Sequence, residues 1–178
     1  MTKVVIVLVN WNGKKDTLAC LVSLKVLSPQ SLVLRTIVVD NGSTDDSVAA
    51  IKENFPDIEV INNNQNLGFA GGNNAGIRRA LEWGADYVWF LNNDTVVDNN
   101  VLGALLEVFN DQGIGVAGSK IYFSPGREFH KKRYDESEHG KVLWYAGGLI
   151  DWQNMYASHR GVNEVDKGQY DRTGETPF

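Results

Sequence analysis

Apolar residues gather in four short runs in the first half of the chain: VVIVLV at 4–9, TIVV at 36–39, IEVI at 58–61 and YVWFL at 87–91. The first, second and fourth are nearly continuous rather than alternating, as in strands of a parallel sheet covered on both faces. Between the runs the apolar spacing turns helical, at Leu18, Leu21, Val22 and Leu24 in the first connection and at Ile77, Ala80 and Leu81 in the third. The second connection carries Val48 and Ile51 behind Ser43-x-x-Asp46, which predicts a helix start with a capping hydroxyl and an early carboxylate. A fourth helix is expected over roughly 98–110, ahead of a strand in IGVAGSKIYF. Strand, helix, strand repeated in this way implies right-handed βαβ units, and the fold class is α/β: a mostly parallel sheet flanked by helices.

Past Phe123 the pattern changes. Residues 124–141 mix charges of both signs with little apolar content and read as a long exposed loop. VLWYAGGLIDW then predicts a strand pair, and from Gln153 onward apolar periodicity nearly vanishes. The chain therefore divides into an α/β core at 1–123 and a loop, strand and polar tail at 124–178. The tail is expected to fold over the carboxyl rim of the sheet or to pair with a second copy.

Composition removes several function classes. At 178 residues the chain is one domain, or one and the start of another. Seventeen Lys and Arg against 22 Asp and Glu leave a net charge of −5, which argues against a nucleic-acid footprint. No apolar run approaches the ~18 residues that span a bilayer, and the opening Val4–Val9 lacks a secretory cleavage pattern. The single cysteine, Cys20, permits no internal disulfide and reads as a small buried hydrophobe on a helix.

Polar residues follow every strand: Asn10-Trp11-Asn12, Asp40-Asn41-Gly42-Ser43, Asn62-Asn63-Asn64 and Asn92-Asn93-Asp94. In a parallel sheet these segments meet at the carboxyl ends, where open α/β sheets bind ligands. Each alone is also explained by turns and helix caps; four together favour a site. Asp94 can hold a hard divalent cation that a diphosphate completes, against the plainer reading in which it or Thr95 caps a turn. Trp11 can stack on a base and Asp40 can accept from base or ribose, against plainer roles in core and turn.

NQNLGFAGGNNAGIRRAL sets Gly68, Gly71, Gly72 and Gly76 around a helix start, where bare amides approach an anion. It matches neither a P-loop nor the dinucleotide fingerprint. Arg78 and Arg79 can reach a phosphate or lie solvated. His130, His139 and His159 have no metal-ligand spacing, and Lys131-Lys132-Arg133 is balanced by Asp135, Glu136 and Glu138.

VVIVLVNWNG, VVDNGSTDDS, NLGFAGGNNAGI and WFLNNDT, in this order, resemble the nucleotide-sugar-binding half of an inverting family 2 glycosyltransferase of the GT-A fold, over about residues 3–123. The N-N-D step, YAGGLIDW and HRGVNEVDKGQYD are similar to a bacterial rhamnosyltransferase-like branch. The resemblance implies that Val9 and Trp11 line the base pocket and that Asp40 contacts the base or ribose, with Asn10, Asn41 and Ser43 also among the nucleotide-sugar-binding residues. It places Asn66, Gly68, Phe69, Gly72 and Asn73 around the donor near the phosphates, Asn93 beside sugar or ribose, and Mg²⁺ or Mn²⁺ on Asp94. Asn92 stands where many relatives carry the first acid of D-x-D, so the ion should bind poorly without nucleotide. The implied partners are a nucleotide-diphosphate sugar and a polysaccharide, lipid-linked or other glycan acceptor, in the cytoplasm, with peripheral membrane association or homodimerisation compatible with the sequence. The resemblance puts the general base and the acceptor half beyond Phe178, so the chain reads as truncated, and Asp151, Glu164 and Asp166 are not assigned that role.

Two other readings stand beside this one. A binding or assembly module would keep the ligand and turn over nothing. A nucleotidyltransferase would need an early glycine-rich loop with a cation at the triphosphate, for which VNWNGKK offers only Lys14 and Lys15.

Overall fold

The computed structural model describes residues 1–27 and 32–176. By its contacts the chain divides into two compact units, Met1–Gly103 and Ala104–Phe178. This packing division falls inside a helix, earlier than the change of sequence character after Phe123.

The first unit is a parallel sheet of β1 (Thr2–Asn10), β2 (Leu32–Asp40), β3 (Glu59–Asn62) and β4 (Tyr87–Phe90), in the order β3-β2-β1-β4. Its connections are α1 (Lys14–Leu24), α2 (Ser47–Asn54) and α3 (Gly68–Glu82). The chain steps outward from β1 to β3 and then returns to the far side of β1 for β4, so the order reverses beside β1 and opens a crevice at the strand ends. Val5, Val7, Ile37 and Val39 form one apolar layer with Ala75 and Ala80 of α3. Strand alternation turns Val4, Ile6, Leu8 and Val38 to the other face, where right-handed crossovers put α1 and α2.

Four expectations are corrected here. β4 is not covered on both sides: it is the outer strand of the described sheet, Tyr87, Val88 and Trp89 are half-buried and Phe90 is exposed. The buried stripe of α1 is Thr17, Cys20, Leu21, Ser23 and Leu24, while Val22 is exposed. Ser43 does not cap α2, because its hydroxyl donates to Asp40; Asp45 Oδ1 instead accepts from the Ser47 backbone N–H (3.0 Å) and hydroxyl (2.5 Å). The strand expected in IGVAGSKIYF shrinks to β5 (Ile121–Tyr122), which joins no strand of the parallel sheet.

α4 (Val101–Val108) carries the division between the units. In the second unit, β5 pairs antiparallel with β6 (Leu143–Tyr145), and β7 (Gly148–Asp151) pairs with β8 (Tyr156–His159). β6 and β7 are therefore not partners of each other. Loop 124–141 is better anchored than its composition suggests: Glu128 is 1% and Tyr134 8% exposed. The Glu128 carboxylate takes the Gly140 N–H at 3.0 Å and faces His139 Nδ1 at 2.9 Å, and the Tyr134 hydroxyl donates to Asn163 O. The polar tail folds within its own unit, through β8, the Val142–Val165 bridge and Lys120, which pairs with Asp166 (2.7 Å) and Asp171 (2.5 Å). Residues 177 and 178 of that expected tail lie outside the described residues.

Candidate active site at the carboxyl rim of the sheet

Asn10, Asp40 and Asn62, the last residues of three adjacent strands, stand in one row across the ladder. Asn10 and Asp40 are both 0% exposed and Asn41 2%. A carboxylate so buried needs donors, and Asp40 has three: Asn10 Nδ2 (2.8 Å) and the Ser43 hydroxyl (2.5 Å) on Oδ1, and the Ser43 backbone N–H (2.9 Å) on Oδ2. Asp40, Asn10 and Asn41 thus form the frame beneath the rim, with their polar atoms engaged inside the protein. Asn41 extends the frame sideways, taking Asn63 Nδ2 (2.8 Å) and donating to Gly68 O (2.9 Å), which joins the ends of β2 and β3 to the start of α3.

A second line of bonds crosses to β4. The Thr17 hydroxyl donates to Asn10 Oδ1 (2.8 Å) and accepts from Asn93 Nδ2 (2.9 Å). Gly13 must be glycine for room: a Cβ there would stand 2.6 Å from Asn93 Nδ2 and 3.2 Å from Asn10 Oδ1. Asn12, at φ 52°, accepts from the backbone N–H of Thr44 (2.8 Å) and Asp45 (3.2 Å), and its own N–H donates to the Ser43 oxygen (2.9 Å). The loops after β1 and β2 are therefore pinned together. Lys14 pairs with Asp46 at 2.7 Å, which occupies one of the two lysines a triphosphate site would have used.

What this frame leaves outside is the chemistry. Trp11 is 57% and Phe69 66% exposed, although each is an aromatic side chain beside a buried residue or a helix start. Asp94 is exposed and, among the described residues, has no hydrogen-bond or ion-pair partner. The turn beneath it closes without it, since the Thr95 hydroxyl donates to Asn92 O at 2.6 Å. Val9 is half-buried against the apolar layer, Ser43 is half-buried and spent on Asp40, and Asn66 Oδ1 takes the Gly68 N–H (2.8 Å). Asn73 donates to Phe69 O of its own helix (3.1 Å).

The α3 glycines divide by purpose. Gly68 begins the helix at φ +72°, with open space where a Cβ would be. Gly72 and Gly76 instead admit β1: added Cβ atoms would lie 2.7 Å from Val9 Cγ1 and 2.3 Å from Val7 Cγ1. Their missing side chains serve close helix-on-sheet packing. Arg79 is likewise away from the rim, paired with Glu59 at the opposite end of β3 (2.5 Å) and with Glu82 (3.2 Å). Sequence reasoning named Asn12 and Asn63 only as members of the polar strand-end segments, and missed Thr17 and Gly13 as site-building residues. Thr17 was readable as a hydroxyl one helical turn before Leu21, on the stripe that also carries Ser23.

Comparison with known proteins agrees with this architecture. The family described as Glycosyl transferase family 2 matches residues 5–175. The mannosyltransferase PcManGT from Pyrobaculum calidifontis, solved with GDP-Man and Mn²⁺, superposes with a TM-score of 0.56 at 21% identity, over 63% of this chain and 33% of that one. S. aureus TarS 1–349 with UDP-GlcNAc gives 0.52 at 22% identity, over 70% of this chain and 40% of that one. At these identities the likeness is one of fold, and the chain spans less than half the length of either structure. No protein with a curated description matches. With the family match covering nearly all of the sequence and the glycosyltransferase-like sheet beneath it, the chain belongs to glycosyl transferase family 2.

Proposed function

We propose that the carboxyl rim of this sheet is the donor site of a glycosyltransferase that takes a nucleotide-diphosphate sugar with a divalent cation. The observation that carries the reading is the division of labour at the rim: Asn10, Asp40 and Thr17 are buried, while Trp11, Phe69 and the Asp94 carboxylate face outward beside the reversal in strand order. An exposed indole suits a base, and a partnerless carboxylate suits a cation that already carries phosphate oxygens. When bound, Mg²⁺ or Mn²⁺ supplies positive charge against the departing diphosphate; Asp94 is the residue that would hold it. The binding of GDP-Man with Mn²⁺ by PcManGT and of UDP-GlcNAc by TarS supports the ligand class.

The finer reading follows the sequence. Transfer proceeds with inversion to a polysaccharide, lipid-linked or other glycan hydroxyl. The N-N-D step favours rhamnose as the sugar. The reaction takes place in the cytoplasm, at the inner membrane face for a lipid-linked acceptor; no described helix is long and apolar enough to cross a membrane.

One observation favours the second reading, a module that binds donor without turnover. Asp151, Glu164 and Asp166, the three carboxylates that the sequence leaves without a catalytic role, are each engaged within their own unit: Asp166 with Lys120 and the Tyr122 hydroxyl, Asp151 with Asn154 and the Gln153 N–H, Glu164 with Tyr170 and Gln169. Thermal unfolding with UDP-, GDP- and dTDP-sugars and Mn²⁺ tests the shared premise. The melting temperature should rise, and Asp94→Ala should remove the cation-dependent part of the rise; no rise with any of the three rejects the donor site. Sugar transfer by the 178-residue chain would reject the module.

A further inference from the structure

We infer that Thr17 is a positioning residue of this site: with Asn10 it carries the polarity of the buried Asp40 carboxylate to Asn93, fixing the Asn93 amide with nitrogen inward and oxygen toward the ligand. The inference rests on the donor-site reading for what that oxygen meets, while the hydrogen-bond chain itself is independent of it.

The orientation follows from counting donors and acceptors. A carboxylate only accepts, so Asn10 must turn its NH₂ to Asp40 (2.8 Å) and leave its oxygen for Thr17 (2.8 Å). Thr17 has one hydroxyl proton, and that oxygen takes it. Toward Asn93 the hydroxyl can only accept, so Asn93 must present Nδ2, as it does at 2.9 Å. All the donors point one way, toward the charge, and bonds so aligned strengthen each other. Asp40, Asn10 and Thr17 are each 0% exposed, so no solvent molecule can replace a lost partner. Reversing either amide would set like groups face to face.

At the far end, Asn93 Oδ1 has no partner among the described residues and belongs to the residue before Asp94. Being an acceptor, it suits a hydroxyl of the donor's ribose or hexose and disfavours a phosphate oxygen. The base side of the rim and the turn bearing Asp94 are thereby tied through one hydroxyl. A shift at Asp40 is transmitted across three strands to the residue beside the cation.

The test uses the 178-residue chain, with and without ligand. By NMR without ligand, the Asn93 side-chain NH₂ protons should exchange slowly with water in the wild type and in Thr17→Ser, and fast in Thr17→Val. Equal exchange in wild type and Thr17→Val overturns the chain of bonds, whatever binds. By calorimetry with UDP-GlcNAc, GDP-Man and a dTDP-hexose plus Mn²⁺, Thr17→Val should weaken the binding sugar nucleotide about tenfold and Thr17→Ser should restore it. Lost protection with unchanged affinity overturns the positioning role. Slow exchange in a wild type that binds none of the three leaves the relay standing and rejects the donor site. Gly13→Ala is the second variant, should Thr17→Val not fold: its methyl displaces the same amide and keeps the hydroxyl, and it should reproduce both losses.

Discussion

The two aspartates at the rim are opposites. Asp40 is sealed and triply bonded, so Asp40→Asn would aim an NH₂ or a weaker acceptor at three fixed donors. It should cost about 2–3 kcal/mol, read from the urea midpoint of the whole chain. Asp94 is exposed and supports nothing, so its removal should leave that midpoint within about 0.5 kcal/mol and act only on cation-dependent ligand binding. Trp11→Ala belongs with Asp94: at 57% exposure it should barely alter stability, yet reduce the ligand-induced melting shift of every nucleotide sugar. A stability loss for Trp11→Ala as large as that for Asp40→Asn would place the indole in the core and remove it from the site. These roles were only partly legible in the sequence. The residue types after each strand announced a polar rim, but which Asn or Asp faces inward depends on pairing between strands some thirty residues apart, and no local pattern encodes it.

At the scale of elements, α3 lies close on β1 because two of its residues lack side chains. Gly76→Ala would gain helix propensity yet drive a methyl into Val7, and the packing term should win by about 1–2 kcal/mol. Gly103→Ala in α4 meets nothing within 4 Å and should instead stabilise by about 0.5–1 kcal/mol. Paired urea melts check the contrast, and the same sign for both variants would refute it. The apolar runs foretold β1 to β4, most directly β1 and the end of β2, where burial is written into residue type, while β3 and β4 are only half-buried. β8, YASH, could not be read that way: its residues are exposed or half-buried and its strand state comes from pairing with β7. The same reason defeats the expected pairing of VLWYAGGLIDW with itself, since β6 and β7 each find another partner. Gly72 and Gly76 were visible as glycines, but only Val9 and Val7 across the gap show why.

Over the whole molecule, the units differ in what acid does to them. In the second unit burial opposes the charge of Glu128, but its own N–H, the Gly140 N–H and His139 outweigh it and hold the carboxyl at about 2. Lys120, then Tyr122, hold Asp166 at about 2 as well. Both groups lie below their unfolded values near 4, so their stabilisation is complete above about pH 4.5 and drains as pH falls toward 2. Lys120 is raised instead: burial lowers it, but Asp166, Asp171 and Tyr122 more than compensate, so its contribution holds at neutral pH and fades in strong alkali. Hydrogen exchange at 128–171 should lose protection through that acid window more steeply than β1 and β2 do, and Glu128→Gln should flatten the slope; equal slopes in both units would contradict this. The composition of 124–141 suggested solvent on all sides because charge counts do not reveal which carboxylate turns inward. The first unit carries its own gauge in Cys20. This thiol is fully enclosed, lies 3.8 Å from Asn92 O and 4.0 Å from Thr95 Oγ1, and is pushed up to about 11 by burial. With one thiol per chain, and that one out of reach of an alkylating reagent, each labelling event marks a moment when α1 has lifted from the turn bearing Asp94. Ligand that clamps this turn would slow the clock.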